Sequence, residues 1–196
     1  MSTLLLLRHG PTGAGRRGAP LGRLDLPVDP VGQELWPRVR ADLLALAPEQ
    51  VLCSPLARSR EHALDLGLPC RILPGLAEQD FGAWDGRPWA EREDAAAFFE
   101  DPVDSAPPGG ESFRACALRA RSALEAALEA PPTLVLAHAG PLRAILAGCL
   151  GLPLERALDL AWDPFGLTRL ERMPGNRCWL RYHNLRLPSG GASGIL

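Results

Sequence analysis

The 196-residue chain contains no lysine; all 21 of its basic residues are arginine. A compositional bias of the coding genome accounts for this simply. The absence excludes Schiff-base chemistry, which needs a lysine amine. It also excludes a P-loop, whose lysine reaches a nucleotide's phosphates. Cysteine is scarce: Cys53, Cys70, Cys116, Cys149 and Cys178 are scattered, odd in number and form no C-x-x-C pair. That argues against a disulfide framework or a zinc site and fits a reducing cytosol. Cys53, Cys116 and Cys149 sit in apolar surroundings and read as buried filler. No apolar run approaches the ~18 residues of a membrane-crossing helix. The N-terminus has no basic stretch before its apolar run, so Leu4 to Leu7 reads as a first strand and not as a signal peptide. A net charge of -2 disfavours general binding to nucleic acid or to an anionic membrane. The expectation is a cytoplasmic globular protein with one domain over residues 1–188 and a flexible Gly/Ser-rich tail over 189–196.

Histidine is also scarce, with four in the chain, and two of them stand in the same setting. Leu4-Leu5-Leu6-Leu7 runs into Arg8-His9-Gly10, and Thr133-Leu134-Val135-Leu136-Ala137 runs into His138-Ala139-Gly140. Short apolar runs read as strands buried on both faces. Ligands of open α/β sheets dock at the carboxyl ends of such strands.

Between these runs the pattern alternates. Asp29-Pro30 reads as an N-cap with proline at the first helical position. Val31, Leu35, Val39, Leu43 and Leu46 give that helix an apolar stripe, and Pro37 should kink or split it. Gln50 to Cys53 reads as a strand. Ser54-Pro55 repeats the cap signal for a helix running to about Gly67, and Arg71 to Leu73 reads as a third strand. Residues 74–110 form an irregular, aromatic and acidic excursion, with a short helix around Trp89 to Glu100; such insertions are usually functional lids. Glu111 to Ala130 is the clearest helix. Another begins at Pro141 and ends near Gly151. Two late strands flank a Met-Pro-Gly-Asn turn. Strands alternating with helices predict a three-layer α/β/α sandwich with a mostly parallel central sheet.

Arginine forks at Arg8 and Arg58 suit a tetrahedral oxyanion such as phosphate. A helix beginning near Pro141 can add N–H groups for an anion. An imidazole among such cations is pushed toward neutrality, which leaves one nitrogen free to attack phosphorus. Its other nitrogen needs an acceptor to fix the tautomer. Glu78 or Asp80 can supply a proton to the leaving oxygen.

Five segments in order resemble the histidine phosphatase superfamily, which contains the phosphoglycerate mutases. They are Arg8-His9-Gly10, Ser54-Pro55-Leu56-Ala57-Arg58-Ser59-Arg60-Glu61, Leu76-Ala77-Glu78-Gln79-Asp80-Phe81-Gly82, Pro108-Gly109-Gly110-Glu111-Ser112 and His138-Ala139-Gly140. The resemblance implies a phosphoglycerate mutase-like fold. It implies that His9 forms a phosphohistidine, that Arg8, Arg58 and His138 hold the phosphoryl group, and that Glu78 protonates the leaving oxygen. Thr12, Arg23, Ala139 and Trp84 are expected to bind substrate. No metal and no cofactor is implied, and the expected partner is a small phosphate monoester; a homodimer is compatible with the sequence.

The chain departs from the mutases. Gly15 stands where they usually carry an asparagine, and the excursion after Glu78 is short. Both features favour hydrolysis over transfer. Within the phosphatases, Arg8-His9-Gly10-Pro11-Thr12, Gly22-Arg23-Leu24-Asp25-Leu26-Pro27 and Asp80-Phe81-Gly82-Ala83-Trp84-Asp85-Gly86-Arg87-Pro88-Trp89 resemble α-ribazole phosphatases of cobalamin assembly, with Leu21 and Asp85 replacing that group's usual tyrosine and glutamate. The alternatives are a broad-specificity or mutase-like enzyme and an inactive phosphate-binding module. Several polar residues have simpler readings. His62 and His183 suit packing, Asp80 and Asp85 suit loop capping, and Arg16, Arg17 and Arg23 suit solvated surface. Trp84 and Trp89 suit either lid packing or stacking on a base-like leaving group.

Overall fold

The computed structural model describes residues 2–16, 18–91, 95–128, 131–174 and 177–188. The expected flexible tail, Arg17, and Gly175 and Asn176 of the late turn lie outside the described residues, as does the side chain of Arg16.

In chain order the elements are β1 (Ser2–Arg8), α1 (Gly13–Arg16), α2 (Pro30–Ala45), β2 (Gln50–Cys53), α3 (Ala57–Asp65) and β3 (Cys70–Ile72). There follow α4 (Ala95–Glu100), α5 (Phe113–Ala127), β4 (Thr133–Ala137), α6 (Ala139–Leu150), α7 (Leu154–Ala157), β5 (Gly166–Met173) and β6 (Arg177–Arg186). The strands form one sheet in the order β3-β2-β4-β1-β5-β6. The first four pair in parallel, and β5 and β6 join antiparallel at the far edge.

Period-two alternation sorts the apolar strands onto two faces. Leu5 and Leu7 of β1 join Trp36, Val39 and Leu43 of α2 and Ala63 of α3 in one buried cluster. Leu4 and Leu6 join Leu124 of α5 and Leu142, Ile145 and Leu146 of α6 in the other. The result is the three-layer α/β/α sandwich. Leu4 to Leu7 are all fully buried, and truncating one of them to alanine costs about 2–5 kcal/mol.

Three local expectations need correction. Helix α2 is not split at Pro37. Proline removes the single bond its N–H would make to Gln33, and the buried packing of Trp36, Val39 and Leu43 outweighs that loss. The stripe also turns: Trp36 is buried and Val31 is 47% exposed. Helix α3 starts at Ala57, not at Ser54, with no side-chain cap from its own N-cap residue, Leu56. The Asp25 carboxylate, from a distant loop, instead accepts the Ala57 N–H at 2.6 Å. Helix α6 starts at Ala139, two residues before Pro141, because His138 already occupies the N-cap position. It ends as expected, with Gly151 in the left-handed region at φ 67°.

Residues 74–110 carry three 3₁₀ turns, Pro74–Leu76, Gly82–Trp84 and Trp89–Glu91, and then α4. An aromatic cluster holds the segment together: Trp84 meets Trp89 at 6.1 Å and Phe98 at 5.3 Å, and Phe81 meets Trp89 at 5.9 Å. Gly82 permits the fold-back, with φ 50° and no room for a side chain, since a Cβ there would lie 2.2 Å from Pro108 O.

Candidate active site

Register puts the two strand-end histidines side by side. Arg8 of β1 pairs with Ala137 of β4, so His9 and His138 follow on neighbouring strands. Their ring centroids are 5.0 Å apart. Cys53 of β2 pairs with Leu136, which brings Ser54 to the same end of β4.

The proton positions on both imidazoles follow from their partners. His9 Nδ1 lies 2.6 Å from Gly10 O. A carbonyl can only accept, so Nδ1 carries the proton and Nε2 keeps its lone pair. Burial, then the charges of Arg8 and Arg58, hold His9 well below the ordinary imidazole pKa. His138 Nδ1 accepts from Arg58 Nε at 3.2 Å. Its Nε2 therefore carries the proton and donates to Ser54 Oγ at 2.6 Å. Burial and the Arg58 charge hold His138 well below its usual pKa too.

Arg58 is fully buried beneath the segment 21–24. Its terminal amino groups donate to Leu24 O at 2.9 Å, Leu21 O at 3.1 Å and Gly22 O at 2.7 Å. The Asp85 carboxylate grips the same segment from the other side, accepting from Gly22 N and Leu24 N, each at 2.7 Å. The Gly22-to-Asp25 run is thus a strap tied to the residues around Arg58 and to the excursion.

Glu78 is buried, and its Oε1 accepts the Gly140 N–H at 3.1 Å and the Gln79 N–H at 2.9 Å. The α6 N-terminus, expected to serve a bound anion, gives this N–H to the protein's own carboxylate. A Cβ on Gly140 would lie 2.3 Å from Glu78 Oε1, so only glycine permits the approach. Arg119 of α5 pins the chain that carries Glu78, donating to Ala77 O at 2.7 Å and Glu78 O at 2.9 Å. Glu111 pairs with Arg119 and accepts the Asp80 N–H at 2.9 Å.

These residues border a cavity of about 320 Å³, within the range of small-ligand sites. Arg8, His9, Glu78 and Arg143 supply its charged and titratable lining. Thr12 and Ala139 line it as well, with Phe81, Trp89 and Phe113 as an aromatic wall. Arg58 and His138 stand behind it. Trp84 is buried in the aromatic cluster and does not line the cavity; Trp89 does. Arg23 also lies off the cavity lining, 3.5 Å from Glu111 and 3.8 Å from Asp80. A larger groove of about 370 Å³ between α5 and α6 holds none of the residues singled out for chemistry. Among the described residues, no group of three His, Cys, Asp or Glu side chains is placed to hold a metal ion.

The reading from sequence passed over Ser54 as a partner of His138, and also Arg119 and Arg143. Arg143 had a signal: it is the one charged residue in the apolar run from Ala139 to Leu150. The other histidines are packing residues. His62 stacks on Trp36 at 4.0 Å, and His183 bonds Thr168 Oγ1 at 2.8 Å.

Residues 4–185 match the model of the histidine phosphatase superfamily, branch 1. The chain belongs to that superfamily. An adenosylcobalamin/α-ribazole phosphatase from Salmonella typhimurium is 35% identical over 166 residues, which cover 76% of this chain and 80% of that one. A glucosyl-3-phosphoglycerate phosphatase from Mycolicibacterium vanbaalenii is 29% identical, covering 91% and 82%. The crystal structure of the α-ribazole phosphatase from Shigella flexneri superposes with a TM-score of 0.82 at 27% identity, covering 94% and 96%. The fold of this histidine phosphatase is thus the phosphoglycerate mutase-like one. It is a phosphatase, of a family that acts on small phosphate esters. Among its described residues no helix is long and apolar enough to cross a membrane.

Proposed function

We propose that this histidine phosphatase is a metal-independent phosphomonoesterase working through a phosphohistidine, with α-ribazole 5′-phosphate as its leading substrate. The observation that carries the chemistry is His9: its Nδ1 proton is fixed on Gly10 O, its Nε2 is unprotonated, and it lines a cavity shared with Arg8 and Glu78. Nε2 attacks phosphorus, and the bond to the ester oxygen breaks. Glu78 gives the departing oxygen a proton. It then takes one from the water that cleaves the phosphohistidine, so the carboxyl group returns to its starting state. Arg8 meets the phosphoryl oxygens on the cavity wall. Arg58 and His138 act from behind it through charge and through their mutual hydrogen bond. Thr12 and Ala139 border the substrate.

The α-ribazole reading is supported by the likeness to the Salmonella and Shigella phosphatases. It is also supported by the aromatic wall of Phe81, Trp89 and Phe113, which suits a flat base on the leaving group. Of the two tryptophans, Trp89, which lines the cavity, takes the stacking role, and Arg23 is assigned to the strap, not to substrate. Residues 1–188 are proposed to work as one domain, with 74–110 as its lid. The second reading is a phosphatase of sugar-linked phosphoglycerates or other small monoesters, favoured by the likeness to the Mycolicibacterium enzyme.

The test is phosphate release from α-ribazole 5′-phosphate beside 3-phosphoglycerate, glucosyl-3-phosphoglycerate, p-nitrophenyl phosphate and simple sugar phosphates. A kcat/KM for α-ribazole phosphate about a hundredfold above the rest, worth about 2.7 kcal/mol of transition-state binding, supports the first reading. A preference for the glycerate ester supports the second, and a flat profile removes both substrates.

A further inference from the structure

Arg143 is a partly buried cation that the reaction described above does not use. It sits in the first turns of α6, one turn beyond Gly140, and lines the cavity with Arg8, His9 and Glu78. Its Nε donates to Leu160 O at 2.7 Å. Two residues on, Trp162 O accepts from Arg8 Nη1. One short backbone segment therefore fixes both guanidinium groups from the same side. Arg143 has no carboxylate within 4.0 Å among the described residues, and its terminal amino groups make no hydrogen bond there. Arg8 Nε is buried without a partner. Burial pushes the Arg143 pKa down, and the nearby Glu78 charge offsets part of that. A partly buried arginine held at one edge leaves its other edge free to take an anion in the cavity. Two such arginines match the charge of a phosphate monoester dianion.

We infer that Arg143 is a substrate-binding residue whose terminal amino groups take a non-bridging phosphoryl oxygen, opposite Arg8. The inference rests on the phosphatase reading for its substrate class. It adds Arg143 to Arg8 on the cavity wall, in front of Arg58 and His138.

The experiment is calorimetric titration of inorganic phosphate into the wild-type protein and into Arg143→Met and Arg143→Lys. Thermal midpoints are recorded for each, and KM and kcat for p-nitrophenyl phosphate. Arg143→Met, which keeps the stem and loses the fork, should weaken phosphate binding about 10- to 100-fold and raise KM in step. Arg143→Lys, a point charge in place of a fork, should weaken it about tenfold. A folded Arg143→Met protein with wild-type phosphate affinity overturns the inference; if that variant does not fold, wild-type affinity in Arg143→Lys does so. Binding is read without turnover, so the two readings fail separately. A wild-type protein that binds phosphate through Arg143 yet hydrolyses no ester sinks the phosphatase mechanism alone. One that hydrolyses esters with affinity indifferent to Arg143 sinks this inference alone.

Discussion

Arg58 Nε lies 3.2 Å from His138 Nδ1, and that bond decides where the second histidine keeps its proton. An arginine always donates, so Nδ1 accepts, and Nε2 must donate to Ser54 Oγ. His9 holds the opposite tautomer through Gly10 O. The two rings face one another with different nitrogens unprotonated, and only His9 lines the cavity.

The acid limb of activity should lie below the ordinary imidazole pKa of about 6.5. Burial and two arginines depress His9, so it stays neutral and nucleophilic as pH falls through that value. A kcat/KM profile with its acid limb below pH ~6.5 agrees. A limb at or above that value means that His9 is not the depressed group.

Glu78→Gln should separate substrates by leaving group. An alkyl phosphate needs a proton at the departing oxygen, and its kcat should fall by about 10²–10⁴. p-Nitrophenyl phosphate releases a stable phenolate and should lose much less. Gly140→Ala, which drives a Cβ into Glu78 Oε1, should mimic the same selectivity. Equal losses on both substrates would assign Glu78 to structure.

Much of this arrangement is legible in the sequence, for a physical reason. Strand-end motifs such as Arg8-His9-Gly10 and His138-Ala139-Gly140 mark the carboxyl edge of a parallel sheet wherever the strands fall in its order. Apolar periodicity likewise locates α2, α5 and the strands. Contacts across the chain do not show in local pattern. Ser54-Pro55 carries a strong capping signal, yet the Ser54 hydroxyl accepts from His138, 84 positions away, while Asp25 serves α3. Trp84 and Trp89 look equivalent in the sequence, and only the tertiary packing separates the buried Trp84 ring from Trp89 on the cavity. Pro37 predicts a kink or a split, and α2 runs through it unsplit.

Asp85→Asn tests the strap. The carboxylate accepts from both Gly22 and Leu24, and an amide has one oxygen to offer. Amide exchange at those two residues should quicken at least about tenfold, one lost charged hydrogen bond being worth about 1.5–3 kcal/mol. Unchanged protection would show that Arg58 alone holds the strap.

His62 should govern part of the acid stability. Burial against Trp36 lowers its pKa to about 4. A histidine depressed in the folded state binds fewer protons than in the unfolded chain. Its contribution is full above pH ~6.5 and is lost as pH falls toward 4. His62→Phe should therefore flatten the fall of Tm between pH 7 and pH 4, leaving the residual slope to the other depressed groups, among them His9, His138, His183 and Glu111. An identical slope in the variant would show that His62 titrates normally.

The central claim is a covalent phosphate on His9. Rapid quench in alkaline detergent after mixing with a ³²P-labelled monoester, followed by electrophoresis, reads it directly. Label that survives base, leaves in mild acid and disappears in a folded His9→Ala protein is the result the account predicts. No label during active turnover, or label that persists in His9→Ala, contradicts it.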